Sequence, residues 1–347
     1  MNQDPSPNQQ VFKDPALKRR LWLMGSFLAL CHAAIAGVLF SYAAHYPTLI
    51  GLVLLAYSLG LRHAVDPDHI AAIDNSTRKL MQDGQTPVAV GLFFAAGHST
   101  VVLAASFMVA LSASYMSQHL PAFKETGSLI GMSVSCTFLL LIGIINLIVL
   151  IQTFRTWRSI LKGQPITNET LEEHLKKGGL LARILRPLLK LVGRSWHLYF
   201  VGLLFGLGFD TASEVAILSI SGSTGASGMP FSVLVVVPFA FAVGMALIDT
   251  LDGVLMLGAY GWAFLKPARK LYYNMAITFT SVVIALFIGG IEALQIISSA
   301  TGATGGFWDL ANNLQLDSLG FYIIGLFVAS WIVSVCWYKW RGYDRLN

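Results

Sequence analysis

The chain has 347 residues, of which 55% are hydrophobic and only 12% are charged. Its apolar residues fall in runs of roughly twenty, the length that crosses a bilayer as a helix. The runs do not alternate polar and apolar positions, so the pattern excludes a closed β-barrel as well as a soluble protein. The formal net charge of +5 does not indicate nucleic-acid binding, because the Lys and Arg residues are distributed by segment.

The apolar runs predict an all-α membrane protein, a polytopic bundle of about eight transmembrane helices. In chain order they cover 22–43, 49–65, 88–112, 128–151, 197–220, 231–258, 275–297 and 319–338. The corresponding units are a cytoplasmic tail (1–20), four helices (21–152), a basic cytoplasmic loop (153–195), four more helices (196–340) and a cytoplasmic tail (341–347).

The positions of the basic residues predict the orientation of the chain. The tails and every second connection are rich in Lys and Arg, whereas the opposite loops hold only Lys124. By the positive-inside rule, both termini are expected in the cytoplasm. No small-residue cleavage site follows the first span, so we expect an uncleaved, multi-pass protein of the cytoplasmic (inner) membrane of a prokaryote.

The two halves of the chain resemble each other weakly. Leu59-Gly60-Leu61 precedes an acidic cluster in the second span, and Gly206-Leu207-Gly208 does so in the fifth. In the predicted topology these two spans run in opposite directions. The pattern is therefore consistent with an inverted repeat that has a site at its interface.

Ligand-type residues cluster at the end of the second predicted span. The segment from Arg62 to Ile70 reads Arg-His-Ala-Val-Asp-Pro-Asp-His-Ile. Ionisable side chains within a span are costly, so we expect them to be functional. Pro67 removes a backbone donor and disfavours helical geometry at the preceding residue, so we expect a kinked or unwound helix there that turns these side chains toward one point. The predicted metal ligands of this segment are His63, Asp66, Asp68 and His69.

The ligand types predict the class of ion. Imidazole nitrogens and carboxylate oxygens without sulfur suit Ni²⁺, Co²⁺ or Zn²⁺ better than Cu⁺ or Ca²⁺. Arg62 is expected to be a charge partner, and the alternative for the cluster is a structural ion-pair network around this arginine. The cysteines lack paired spacing and are interpreted as buried hydrophobic residues: Cys31, Cys136 and Cys336.

Two further histidines lie inside predicted spans. His98 in the third span follows Gly97, which permits close helix approach, and His98 is a candidate metal ligand or a support for one. His32 in the first span is a weaker candidate, the alternative being a hydrogen bond to a neighbouring helix. The polar residues at the end of the second span are interpreted as a polar helix exit: Asp74, Asn75 and Arg78.

Two pairs of carboxylates each share a helix face. Asp210 and Glu214 are four residues apart in the fifth span, and a second pair is spaced by three in the sixth. Neighbouring carboxylates repel each other unless a cation or proton intervenes, so we expect a cation path or gate. The predicted path consists of Asp210, Glu214, Asp249, Asp252, Arg62 and His32, and Glu292 in the seventh span receives no role.

Four segments of the chain resemble signatures of the nickel/cobalt transporter family (NiCoT) of secondary permeases. His63, Asp68 and His69 match the family's H-x4-D-H element. The segments similar to its third-, fifth- and sixth-span elements are Phe94–Val102, Leu207–Glu214 and Gly244–Asp252. The sequence departs from the family pattern at Pro67, where alanine is usual, and at Ser213, where threonine is usual.

The resemblance implies high-affinity, low-capacity uptake of nickel, cobalt or both, with the ion as substrate rather than cofactor. No Walker A loop is present, so we expect transport driven by the membrane potential or an ion gradient, without an ATPase subunit. One alternative is efflux, but the long loop carries only His174 where such exporters commonly have a histidine-rich segment. The alternative from another class is an intramembrane metalloenzyme, which the absence of histidine boxes and of H-E-x-x-H disfavours.

Overall fold

The structure is a computed structural model that describes residues 14–111, 113–161, 192–207, 212–226, 230–263, 267–314 and 319–341. The α-helices of these residues are α1 (Pro15–Tyr42), α2 (Thr48–His63), α3 (Pro67–Gln82), α4 (Val90–Leu111), α5 (Ala113–Leu161), α6 (Leu198–Phe205), α7 (Ala212–Ala226), α8 (Phe231–Ala263), α9 (Pro267–Thr301), α10 (Phe307–Asn312) and α11 (Gly320–Trp340). A 3₁₀ turn, Ser195–His197, precedes α6.

The predicted all-helical, polytopic architecture is confirmed. In the described ranges, α1, α4, α5, α8, α9 and α11 each contain a stretch long and apolar enough to cross a bilayer. The bent pair of α2 and α3 makes a seventh candidate if the two helices form one broken span. The predicted fifth span falls on α6 and α7, but residues 208–211 between them lie outside the described residues. The exact number of eight spans therefore remains a prediction, as does the inverted repeat.

The ends of the predicted units differ from the helix ends. Helix α1 begins at Pro15, within the predicted tail, because the Asp14 side chain caps it by accepting a hydrogen bond from the Ala16 N–H at 2.9 Å. Helix α5 continues past residue 151 to Leu161. Residues 1–13, 162–191 and 342–347 lie outside the described residues, so the cytoplasmic tails and loop remain predictions.

The second span breaks at Pro67, as the sequence predicts. Helix α2 ends at His63, α3 begins at Pro67, and the two helices are bent by 56°. Asp66 has an extended backbone with ψ of 142°, because the ring of the following proline disfavours the α conformation at this residue. Proline then occupies the first position of α3, where its missing N–H would have no intrahelical partner in any case.

Helix α3 lies at the centre of the bundle, packed against α4, α5, α8, α9 and α11. Its residues from Ile70 to Leu80 are all buried, although the second half of this stretch is polar. The interpretation of this segment as a polar helix exit is wrong, because neighbouring helices enclose it on every side. The residues concerned are Asp74, Asn75 and Arg78, each 0% exposed.

Small residues set the distances between the central helices. A Cβ atom at Gly60 of α2 would collide with the backbone carbonyl of Phe241 in α8. A Cβ atom at Gly97 of α4 would collide with the carbonyl of Tyr199 in α6, in agreement with the predicted close approach. Backbone contact at Gly97 places the neighbouring His98 at the helix interface.

We expect Gly60→Ala to lower the free energy of unfolding by about 1–3 kcal/mol, because the added methyl group forces α2 away from α8. Thermal unfolding in detergent measures the effect. Gly51→Ala in the same helix is the matched control, since no atom lies within 4 Å of its Cβ position. Equal melting temperatures for the two variants would contradict this account of the α2–α8 contact.

Candidate metal site

Three imidazole rings meet in the interior of the bundle. His63 is the last residue of α2, His69 lies in the first turn of α3, and His98 lies in α4. The ring centroids are 4.7 Å apart for His63 and His69, 4.8 Å for His63 and His98, and 4.9 Å for His69 and His98. Each side chain is at most 3% exposed. The break at Pro67 thus brings together two histidines of one span with a third from a neighbouring helix.

The candidate ligand atoms lie close to the spacing that a metal ion requires. His63 Nε2 and His98 Nε2 are 3.0 Å apart. Two ligands at right angles, each about 2.1 Å from a metal, are separated by about 3.0 Å, and two opposite ligands by about 4.2 Å. One ligand atom from each histidine lies within 4.8 Å of the others, so a small inward shift allows all three to bind one ion.

Glu214 supplies a carboxylate to the same centre. Its Oε1 lies 2.9 Å from His98 Nε2 and 3.8 Å from His63 Nε2. It lies in the first turn of α7, where the helix dipole stabilises a negative charge. Glu214 is 1% exposed and is therefore a fourth ligand candidate, which the sequence interpretation assigned to the path instead.

Two aspartates lie beside the imidazoles. Asp66 Oδ2 lies 2.9 Å from His63 Nδ1, and Asp249 Oδ2 lies 3.3 Å from His69 Nδ1. A carboxylate that accepts the Nδ1–H of a histidine fixes the tautomer in which Nε2 is free to bind a metal. In the described part of the chain, His69 Nε2 is buried and has no hydrogen-bond partner. Asp249 thus supports the candidate ligand His69, and Asp66 lies at ion-pair distance from the candidate ligand His63.

Of the other site residues predicted from the sequence, some lie beside the three histidines and others do not. Asp68 is partly buried beside the cluster and accepts a hydrogen bond from the His69 N–H at 3.0 Å. Arg62 is exposed, and the structure does not bring it into the cluster. His32 is also outside the cluster, because its Nε2 is hydrogen-bonded to the Tyr57 hydroxyl at 3.0 Å. Asp210 lies outside the described residues.

The sequence interpretation missed a second polar network around α3. Asn75 Oδ1 accepts hydrogen bonds from Arg78 Nη2 at 2.7 Å and from Asn146 Nδ2 of α5 at 2.5 Å. Asp74 Oδ2 accepts from the Ser281 hydroxyl of α9 at 2.6 Å. The sequence signal for this network is the group of polar residues that follows His69 on the same helix.

Comparison with known proteins shows the family of the chain. The family model described as high-affinity nickel-transport protein, NicO, matches residues 49–337. The chain belongs to the high-affinity nickel-transport family. This membership confirms the resemblance to nickel/cobalt permeases. It also makes this family member a transport protein rather than an enzyme, so the metal is its substrate and not its cofactor.

Curated relatives cover most of the chain. The high-affinity nickel transport protein of Cupriavidus necator is 50% identical over 301 residues, which are 86% of each chain. The nickel transporter NicT of Mycobacterium tuberculosis is 46% identical, over 85% of this chain and 81% of the relative. The cobalt transport protein NhlF of Rhodococcus rhodochrous is 37% identical, over 90% of this chain and 91% of the relative. No solved structure matches the chain.

We expect Asp249→Asn to weaken metal binding by this transporter about 10- to 100-fold. The neutral amide lacks the negative charge with which the carboxylate accepts a hydrogen bond from the His69 imidazole. Isothermal titration of the purified protein with nickel measures the affinity. Asp309→Asn is the control, since this aspartate lies at the start of α10 and caps the Gly305 N–H. Unchanged nickel affinity in the Asp249 variant would show that this carboxylate does not support the site.

Proposed function

We propose that this chain imports nickel, cobalt or both across the cytoplasmic membrane and binds the ion at His63, His69, His98 and Glu214. The observation that carries the proposal is the convergence of three buried imidazoles whose Nδ1 or Nε2 atoms are held by carboxylates. A site for a structural ion pair alone would not leave the buried His69 Nε2 without a hydrogen-bond partner among the residues that the structure describes.

The chemistry of the site suits a borderline divalent ion. Imidazole nitrogen and carboxylate oxygen together bind nickel and cobalt well, whereas copper(I) prefers sulfur and calcium prefers oxygen alone. The described cysteines do not contribute sulfur to the cluster. Cys136 donates to the Gly289 carbonyl at 3.4 Å, and Cys336 is exposed on α11, contrary to the expected burial.

The names of the relatives support the same cargo. Those of Cupriavidus necator and Mycobacterium tuberculosis are named for nickel, and that of Rhodococcus rhodochrous for cobalt. The types of ligand do not predict which of the two metals is transported. The affinities of divalent metals follow the same general order for most ligand sets, so selectivity depends on the geometry of the site. We therefore propose both ions as substrates.

The carboxylates of α8 extend the path away from the histidines. Asp249 contacts His69, and Asp252 lies one turn further along α8. Helices α3 and α8 lie side by side at this level, since the Cβ position of Gly253 is 3.7 Å from Ile73 Cγ2. We propose that the ion passes from the histidines to Asp252 and Asp74 on its way to the cytoplasm.

The membrane potential supplies sufficient free energy for uptake. A dication that crosses a potential of 100 mV, negative inside, gains about 4.6 kcal/mol, twice the figure for one elementary charge. This value corresponds to an accumulation ratio of more than about 1,000-fold at equilibrium. Transport in this direction needs no nucleotide hydrolysis.

Uptake into proteoliposomes tests this function. The purified protein is reconstituted, a potassium diffusion potential is imposed, and entry of radiolabelled nickel or cobalt is followed. We expect accumulation with a negative interior and little entry without a potential. Absence of transport for both metals, or accumulation that is independent of the potential, would contradict potential-driven import. Preferred movement out of vesicles under the same potential would instead favour the efflux alternative.

A further inference from the structure

A groove of about 740 Å³ lies between three helix segments, remote in sequence from the histidine cluster. It is formed by the last turns of α5, the first half of α9 and the last turns of α11. Its walls are mainly apolar and include Ile151, Phe154, Met275, Phe279 and Val333. Several of these side chains are exposed in the structure, which in a bilayer means exposure to lipid chains.

Two arginines line the same groove. Arg155 and Arg158 lie one turn apart on α5, next to the apolar wall. The guanidinium of Arg158 lies 5.1 Å above the Phe154 ring. Within the described ranges, neither arginine forms a salt bridge with a carboxylate. The groove therefore combines an apolar surface with two positive charges that no acidic residue of these ranges neutralises.

Aromatic residues indicate the depth of this groove in the bilayer. Trp337 of α11 lines it and stacks with the guanidinium of Arg341 at 4.9 Å. Tyr272 also lines it and packs against Trp157 and Tyr338, with centroid distances of 5.6 Å and 5.2 Å. Trp and Tyr are enriched at the membrane–water interface, and basic residues beside them are typical of the cytoplasmic side. The groove thus lies where a lipid headgroup meets its acyl chains.

We propose that this groove binds one anionic phospholipid of the cytoplasmic leaflet. The anionic phosphate lies against Arg155 and Arg158, and an acyl chain lies along Phe154, Phe279 and Val333. Basic pockets between transmembrane helices on the cytoplasmic side are suited to acidic headgroups. A zwitterionic lipid carries a cationic group beside its phosphate, and the two guanidinium groups repel that cation, so the site favours an anionic lipid.

Charge also argues against a second copy of the chain as the occupant. In a two-fold dimer the same surface patch is used by both subunits. With the groove at the two-fold axis, the arginine pair of one subunit would face the arginine pair of the other, and such like charges repel each other across an interface. A lipid with a negative headgroup instead neutralises the pair.

Native mass spectrometry of the purified full chain tests the proposal. The protein is titrated with phosphatidylglycerol and, separately, with phosphatidylcholine that has the same acyl chains. We expect one phosphatidylglycerol to bind preferentially, and we expect the double variant R155Q/R158Q to bind it about 30-fold more weakly, about 5-fold for each charge. The control is R19Q/R20Q, which removes two exposed arginines from the start of α1.

A second variant separates the groove from general surface charge. Val333→Trp fills the groove and retains both arginines, so we expect it to displace the bound phosphatidylglycerol as well. Equal loss of lipid in R19Q/R20Q, equal affinity for the two lipids in the wild-type protein, or undiminished binding in both groove variants would overturn the proposal. A dimer that excludes lipid from the groove would also overturn it.

Discussion

His69→Ala is expected to lower the apparent affinity for nickel uptake by more than about 100-fold at equal expression. This side chain is 0% exposed, its Nε2 has no hydrogen-bond partner among the described residues, and Asp249 holds its other nitrogen. Loss of the ring removes one proposed ligand and also leaves the Asp249 carboxylate without its histidine. Loss of a ligand exceeds the 10- to 100-fold effect typical of losing an outer partner. Initial rates of radiolabelled nickel uptake over a concentration series measure the change.

His45→Ala is the matched control for this experiment. His45 is exposed in the turn between α1 and α2 and is not a member of the histidine cluster, so the same substitution removes an imidazole from outside the site. We expect its uptake curve to coincide with that of the unchanged protein. If His69→Ala retains the same apparent affinity as His45→Ala, the three-histidine site is not where nickel binds.

Glu214→Gln is expected to reduce the maximal rate and the affinity of nickel uptake together, with a combined loss of more than about 100-fold in the ratio of rate to KM. The carboxylate oxygen Oε1 lies 2.9 Å from His98 Nε2 and 3.8 Å from His63 Nε2, so it faces the Nε2 atoms of both histidines. A buried dication bound by neutral imidazoles needs a negative charge nearby, and glutamine supplies none. Uptake in cells and nickel titration of the purified variant measure the effect.

Glu292→Gln is the control of matched chemistry and burial. Glu292 is 5% exposed, whereas Glu214 is 1% exposed, so both are buried glutamates. Glu292 accepts a hydrogen bond from the Ser135 hydroxyl at 2.9 Å, and a glutamine oxygen preserves that contact. We expect near-normal uptake in this variant. Equal loss in the two variants would indicate that any buried glutamate matters for folding, and would remove the special role of Glu214.

The fold class was readable from the sequence because the bilayer imposes its length on every helix. Uninterrupted apolar runs near residues 88–112, 231–258 and 319–338 correspond to α4, α8 and α11 with small differences at their ends. The break in the second span was also readable. Proline acts on the residue that precedes it through local sterics, so Pro67 predicts the extended backbone of Asp66 without any tertiary information.

The candidate site was only partly readable from the sequence. The ligand types and the cluster from His63 to His69 were evident, and the position of His98 after Gly97 inside the third span made it a further candidate. The grouping of Glu214 with these histidines was not evident, since it is 116 residues from His98 in the chain. The polar stretch around Asn75 was misinterpreted, because a polar helix end in water and a polar helix enclosed by other helices have the same composition.

The sequence by itself determined the helices, the position of the break and the chemical types of the ligands. Each of these depends on interactions over a few residues: hydrophobic length, proline sterics and the donor atoms of side chains. Only the tertiary structure decided that His63, His69, His98 and Glu214 meet, and that Arg62 and His32 do not join them. The reason is that helices of similar apolar composition pack in the bilayer through their shapes, here through glycine contacts such as those of Gly60 and Gly97. A glycine indicates that a close approach is possible, but it does not indicate which helix will be the neighbour.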